Sequence, residues 1–95
     1  MEVRKLRAGQ VVRSVAGRDE GQFYIVLATV GDNTVLLTDG LRRKVDRPKR
    51  KNVKHIKIVS HADEEIKAKL AEGLKVTDAD VRKILRGFVE KEGCW

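Results

Sequence analysis

The segment QVVRSVAGRDEGQFYIVLATVGDNTVLLT, residues 10–38, decides the fold because it alternates β-rich stretches with tight-turn signals. Residues 10–14 predict a short strand, and the glycine-bearing polar stretch after it predicts a turn. Residues 22–30 are aromatic and β-branched with little interruption, which predicts a central strand bent around a core. The GDN that follows is typical of a hairpin turn and leads into a third strand at 34–38.

Two further strands are expected beyond this segment. Asp39-Gly40 indicates a second hairpin turn that leads into a strand at 41–45, and Pro48 interrupts the ladder after it. A last strand is predicted at 53–60 from its alternating pattern. Five short strands separated by tight turns predict a mostly-β fold, a small barrel or sandwich.

After Ser60 the hydrophobic period changes to that of helices. Ile66, Leu70 and Leu74 recur at intervals of four, which predicts an amphipathic helix, and Thr77 is a suitable N-cap for a second one. The apolar stripe of the second helix comprises Val81, Ile84, Leu85, Phe88 and Val89.

We therefore expect two parts, a barrel at residues 1–60 and a C-terminal helical hairpin at residues 61–95. The hairpin is expected to pack on the barrel and cover an open side of it, because so small a barrel gains from extra burial. The alternative is a docking surface for a protein partner, with Phe88 and Trp95 as candidate anchors.

Charge is distributed unevenly along the 95 residues, whose net charge is +7 with a pI near 9.9. Residues 1–60 carry +8 and residues 61–95 carry −1. This balance favours an anionic partner bound by the first part, nucleic acid before acidic proteins or lipid surfaces. The lone Cys94 forms no intrachain disulfide, and no run reaches the length of a membrane span, so we expect a soluble intracellular protein. We also expect it to be a monomer.

The most concentrated charge lies in RRKVDRPKRKNVKHIK, residues 42–57, with nine Lys or Arg and one acid, Asp46. Phosphate neutralisation and counterion release supply much of the free energy of nucleic-acid association, so this basic run predicts such binding. A solvated surface loop and a nuclear-localisation tract are the alternatives that the same composition allows.

Arg13, Ser14 and Arg18 lie at the end of the first strand and in its turn, where they are candidates for further phosphate or ribose contacts. In that interpretation Asp19 orients Arg18. The alternative is ordinary turn chemistry, in which Asp19 caps backbone amides and the arginines are solvated.

No pattern indicates catalysis, a metal or a cofactor. His55 and His61 lack partners at metal-ligand spacing, and the glycine-bearing turn lacks the Lys-Ser/Thr pair of a nucleotide-binding loop. The chain has four aromatic residues, too few for an interleaved stacking platform. We therefore expect a non-catalytic protein that holds structured RNA by its backbone and shape.

Residues 8–37 resemble a KOW motif, with Gly9, Val11, Val12, Gly17 and Gly21 at the expected places. The continuation TDGLRRKVDRPKRKNVKHI resembles the matching part of KOW-containing large-subunit ribosomal proteins of archaea and eukaryotes, and bacterial KOW-domain RNA-binding proteins carry a similar stretch. The resemblance covers residues 5–60, and residues 62–95 match no part of the family pattern.

The resemblance implies an SH3-like β-barrel of the KOW type, a cytoplasmic location and binding of ribosomal or other structured RNA. A protein-interaction module linked to transcription or translation is the alternative that it leaves open. Carried over by position, the expected RNA contacts are Arg13, Ser14, Arg18, Arg42, Arg43, Lys44, Lys49, Arg50, Lys51, Asn52, Lys54 and His55.

Overall fold

A computed structural model of the chain describes residues 6–60 and 64–92. In these residues the strands are β1 (Val11–Ser14), β2 (Phe23–Val30), β3 (Thr34–Thr38), β4 (Lys49–Asn52) and β5 (Ile56–Ser60). A one-turn 3₁₀ helix, Val53–His55, joins β4 to β5, and two α-helices follow, α1 (Glu64–Ala71) and α2 (Asp78–Glu92).

The five strands form one antiparallel sheet in the order β4-β3-β2-β1-β5. The first four strands follow one another as a meander, and β5 then returns to pair with β1, where Ser14 lies opposite Ile56. The prediction of a small, mostly-β fold followed by helices is therefore confirmed, and the arrangement is compatible with a small barrel-like fold.

The first half of the central strand β2, residues 23–26, is buried on both faces, which explains its continuous hydrophobicity. Phe23 and Ile25 point to one side, and Tyr24 and Val26 point to the other. The first side belongs to a helix-side core of Val11, Phe23, Ile25, Ile66, Val76, Val81 and Leu85. The second side belongs to an inner core of Val12, Tyr24, Val26, Val35, Leu37 and Ile56.

The two helices close the helix-side core with the apolar faces that their spacing predicts. Ile66 of α1 and Val81 of α2 are fully buried, and Phe88 packs against the same core. Leu74, in contrast, is 55% exposed, because α1 ends at Ala71 and Gly73 turns the chain away with a φ of +74°. The candidate anchor Trp95 lies outside the described residues.

The start of α2 is fixed by a reciprocal cap between Thr77 and Asp80. The amide of Asp80 donates to Thr77 Oγ1 over 3.1 Å, and the amide of Thr77 donates to Asp80 Oδ2 over 3.1 Å. Lys69 of α1 also donates to Asp80 Oδ2 at 2.9 Å. The hydrogen bond from Lys69 and those with Thr77 lower the pKa of Asp80 to about 2, so this carboxylate joins the two helices at neutral pH.

The predicted strand at 41–45 is wrong, because local side-chain hydrogen bonds turn the chain back on itself there. Asp39 Oδ1 accepts from the amides of Leu41 and Arg43, both at 2.9 Å, and the hydroxyl of Thr38 donates to the carbonyl of Arg43. These bonds use backbone groups that a ladder would need. The fourth strand lies beyond Pro48 instead, at Lys49–Asn52.

The predicted strand at 53–60 is shorter than expected, because its first three residues form the 3₁₀ turn. Asn52 caps this turn, and its side-chain oxygen accepts from the amide of Lys54 over 3.0 Å. Asn52 was expected to contact RNA, and its side-chain oxygen is thus already used as the acceptor in this cap.

Candidate nucleic-acid interface

The segment 39–47, called the basic loop below, is docked on the start of α2. The amide of Val45 donates to Asp78 Oδ1 over 2.7 Å, and Arg82 Nη1 donates to the carbonyl of Gly40 over 2.6 Å. Gly40 has a φ of +73°, and a Cβ there would lie 2.5 Å from the carbonyl oxygen of Asp78. Only glycine fits this close approach. The two hydrogen bonds hold the loop against the helix at Gly40 and at Val45.

Four cations project from the basic loop into solvent. Arg42, Arg43, Lys44 and Arg47 are all exposed, and none forms a salt bridge with another side chain that the structure describes. Their backbone holds the loop together, since Arg43 O accepts from Asp39 N over 3.1 Å and Arg47 N donates to Lys44 O over 2.9 Å. The loop therefore displays four exposed cations against one exposed acid, Asp46, on a fixed backbone, and this positive surface suits phosphate groups.

The three cations of β4 alternate between the two faces of the sheet. Lys49 and Lys51 pair with Leu37 and Val35, two buried residues of the inner core, and so point to the inner side. Arg50 points the other way and is exposed. Of the predicted contacts on this strand, Arg50 is therefore the exposed one.

Asp19 receives the two inward lysines. Lys51 Nζ lies 2.7 Å from Asp19 Oδ1, and Lys49 Nζ lies 3.3 Å from Oδ2. The side chain of Lys51 is only 10% exposed, and its ammonium also donates to the carbonyl of Ala16 over 3.0 Å. The expected role of Lys51 as an RNA contact is therefore corrected, because the ammonium is buried in an internal ion pair.

Two hydroxyls complete this cluster, called the Asp19 network below. Ser14 Oγ donates to Asp19 Oδ1 over 2.8 Å, and Tyr24 Oη donates to Oδ2 over 2.7 Å. Ser14 is fully buried, so its predicted contact with phosphate or ribose is also corrected. The Asp19 carboxylate thus accepts hydrogen bonds from Ser14, Tyr24 and Lys51. The structure shows neither of its two expected roles, which were to orient Arg18 and to cap amides of its turn.

The network holds Asp19 and Tyr24 in the protonation states that these bonds need. Burial alone would raise the pKa of Asp19, but hydrogen bonds from Lys51, Tyr24 and Ser14 and the charge of Lys49 together hold that pKa well below its ordinary value of 3.8. Burial and the hydrogen bond to Asp19 raise the pKa of Tyr24 above its ordinary value of 10.0. The carboxylate therefore remains the acceptor and the phenol the donor across neutral pH.

This shift predicts a loss of stability in acid. A carboxyl group whose pKa is lower in the folded state stabilises the fold above its unfolded pKa, and that contribution is lost as the pH falls through the folded value. We expect the free energy of unfolding, measured by urea titration, to fall as the pH is lowered below about 5, and to fall less steeply in Asp19→Asn. Equal pH slopes in the two proteins would contradict an ionised Asp19 in the network.

The other predicted contacts lie at separate places on the surface. Arg13 is exposed on β1 with its guanidinium carbon 5.9 Å from the centre of the Phe23 ring, and Lys57 lies opposite it on β5. Arg18 and Lys54 are exposed in their turns, and His55 is half-buried. The structure thus does not gather the twelve predicted residues into one patch.

A cleft that was not predicted from the sequence lies between the basic loop and α2. It has a volume of about 420 Å³. Its lining consists of Gln22, Phe23, Asp39, Leu41, Arg42, Arg82, Leu85 and Arg86. A signal was present, because Arg82 and Arg86 are four residues apart and so lie on one helix face beside Leu85. We did not predict this pair of arginines, because the total charge of residues 61–95 is close to neutral.

No protein-family model matches the chain, and no curated protein matches it significantly. Among the described residues, His, Cys, Asp and Glu side chains form no group that could hold a metal ion. Neither described helix is long and apolar enough to cross a membrane.

Proposed function

We propose that the protein is a non-catalytic RNA-binding module, an SH3-like barrel of the KOW type that contacts ribosomal or other structured RNA in the cytoplasm. The observation that carries the proposal is the basic loop, which presents four exposed cations on a backbone docked against α2. Arg50 of β4 adds a fifth exposed cation in the same region of the sequence. Such a surface binds phosphates and positions a nucleic-acid backbone.

The placement of the aromatic residues favours structured RNA over sequence-specific reading of single strands. Phe23 and Tyr24 are each only 3% exposed, so the rings of β2 belong to the two cores. Single-strand readers stack successive bases on exposed rings, whereas folded RNA is recognised through its backbone and shape. The same burial counts against a peptide-binding module, which needs an aromatic-lined groove.

Salt dependence tests the proposal directly. If the five exposed cations each neutralise one phosphate, the logarithm of the association constant should fall against the logarithm of salt concentration with a slope of roughly −4 to −5. The measurement is fluorescence anisotropy of a labelled RNA hairpin titrated at several salt concentrations. A flat response would exclude phosphate contacts as the basis of binding.

Sedimentation identifies the class of RNA. Tagged protein is run with host lysate through a sucrose gradient at low and at moderate salt. Co-migration with the large ribosomal subunit, lost when Arg42, Arg43, Lys44 and Arg47 are replaced by alanine, would support a ribosomal RNA partner. Protein that stays at the top at both salt concentrations would exclude the ribosome and direct the search to another RNA.

A further inference from the structure

The cleft between the basic loop and α2 is lined by both apolar and cationic side chains, and the apolar ones are called its apolar floor below. Phe23 and Leu85, both of the helix-side core, line it together with Leu41 of the basic loop. Arg42 and Arg86 also line it, and both are exposed. Its volume of about 420 Å³ is within the range of roughly 300–1,000 Å³ found for small-molecule sites.

Leu41 has no role in the packing of the fold. It is 66% exposed, belongs to neither core, and lies between Gly40 and Arg42 in the basic loop. The docked loop fixes its position, since Arg82 binds the carbonyl of the preceding residue, Gly40. An apolar side chain held beside exposed arginines suits a ligand that is flat and apolar on one side and anionic on another.

The acid in the lining helps to identify that ligand. Asp39 carries a carboxylate whose Oδ1 already accepts from two backbone amides. A carboxylate repels the acidic side chains of a peptide, but it accepts hydrogen bonds from the amino groups of bases and from ribose hydroxyls. A nucleotide therefore fits the lining better than an acidic peptide does.

We propose that this cleft receives one unpaired nucleotide of the bound RNA. Its base lies against Leu41 and the apolar floor, and its phosphate lies between Arg42 and Arg86. The other cations of the basic loop hold the adjoining paired backbone. This inference rests on the proposed RNA-binding function and adds to it a preference for RNA with a bulged or flipped-out nucleotide, for which α2 is required.

The test compares two RNA hairpins with the same stem, one fully paired and one with a single-nucleotide bulge. Leu41→Ser and Arg86→Ala should each weaken binding of the bulged RNA about tenfold and that of the paired RNA much less. Both side chains are exposed, so the variants should fold, which thermal melting checks. Lys83→Ala is the matched control, since Lys83 is an exposed cation of α2 outside the cleft.

A second readout reports on the nucleotide itself. With 2-aminopurine at the bulge, binding of the original protein should change the fluorescence of the probe, and Leu41→Ser should abolish that change while the RNA stays bound. Equal losses on both hairpins would overturn the inference and make Arg86 a general phosphate contact. If Leu41→Ser and Arg86→Ala bound both hairpins as tightly as the original protein does, the cleft would not be an RNA site and the inference would fail. If the original protein binds neither hairpin, the RNA-binding proposal itself fails.

Discussion

Replacing Asp19 by alanine should lower the free energy of unfolding by about 3 kcal/mol, because breaking a buried ion pair leaves its partner charge without compensation. The ammonium of Lys51, with a side chain only 10% exposed, would keep the carbonyl of Ala16 as its hydrogen-bond acceptor in the network. The buried Tyr24 hydroxyl would also lose its acceptor, whereas the Ser14 hydroxyl would keep the carbonyl of Ala16 at 3.0 Å. For a domain of this size the melting temperature should fall by roughly 15 °C.

Two control variants separate this effect from a general disturbance of the turn. Glu20→Ala changes the neighbouring acid, which is exposed, and should alter the free energy of unfolding by less than about 0.5 kcal/mol. Tyr24→Phe removes one hydrogen bond and should cost about 1 kcal/mol. If urea titration showed the same free energy of unfolding for Asp19→Ala and Glu20→Ala, the ion pair would not stabilise the fold.

The second large effect concerns affinity. Replacing the four exposed cations of the basic loop, Arg42, Arg43, Lys44 and Arg47, by alanine should weaken RNA binding about a thousandfold at moderate salt, taking roughly 1 kcal/mol for each phosphate contact. The slope of log affinity against log salt should become shallower by roughly 3 to 4. The loop should keep its shape, because the hydrogen bonds that form it come from backbone groups and from Thr38 and Asp39.

A control with the same change in net charge tests whether location matters. Arg7, Lys67, Lys75 and Lys83 are also exposed and lie outside the basic loop, so replacing these four by alanine should reduce affinity far less. Anisotropy titrations with one RNA hairpin measure both variants. Equal losses would mean that overall charge attracts RNA without a defined interface.

The first three strands and both helices were predictable from the sequence because local signals determine them. The alternation in residues 10–38 and the turns between the strands fix a meander, and Thr77 marks the start of α2 as expected. The error at 41–45 arose because Asp39 and Thr38 bond to the backbone close by. A binary pattern of apolar and polar residues carries no information about such bonds.

The candidate site was harder to predict because its residues come from distant parts of the chain. Lys51 and Asp19 are 32 residues apart, and Arg82 meets Gly40 across 42 residues. Composition counts Lys51 with the other cations, although its pairing in the strand turns it inward. RNA binding, the KOW type of the barrel, the monomeric state and a protein partner for the helices stay predictions.

The docking of the basic loop on α2 has a consequence for the thermodynamics of association. A mobile loop loses conformational entropy when a ligand orders it, at a cost of about 1–2 kcal/mol for each residue fixed. In this protein the hydrogen bonds from Val45 to Asp78 and from Arg82 to Gly40 already order the loop when the protein folds, so its conformational entropy is lost before RNA binds. Binding to this loop should therefore cost little ordering entropy, and the helices should contribute to affinity even where they touch no RNA.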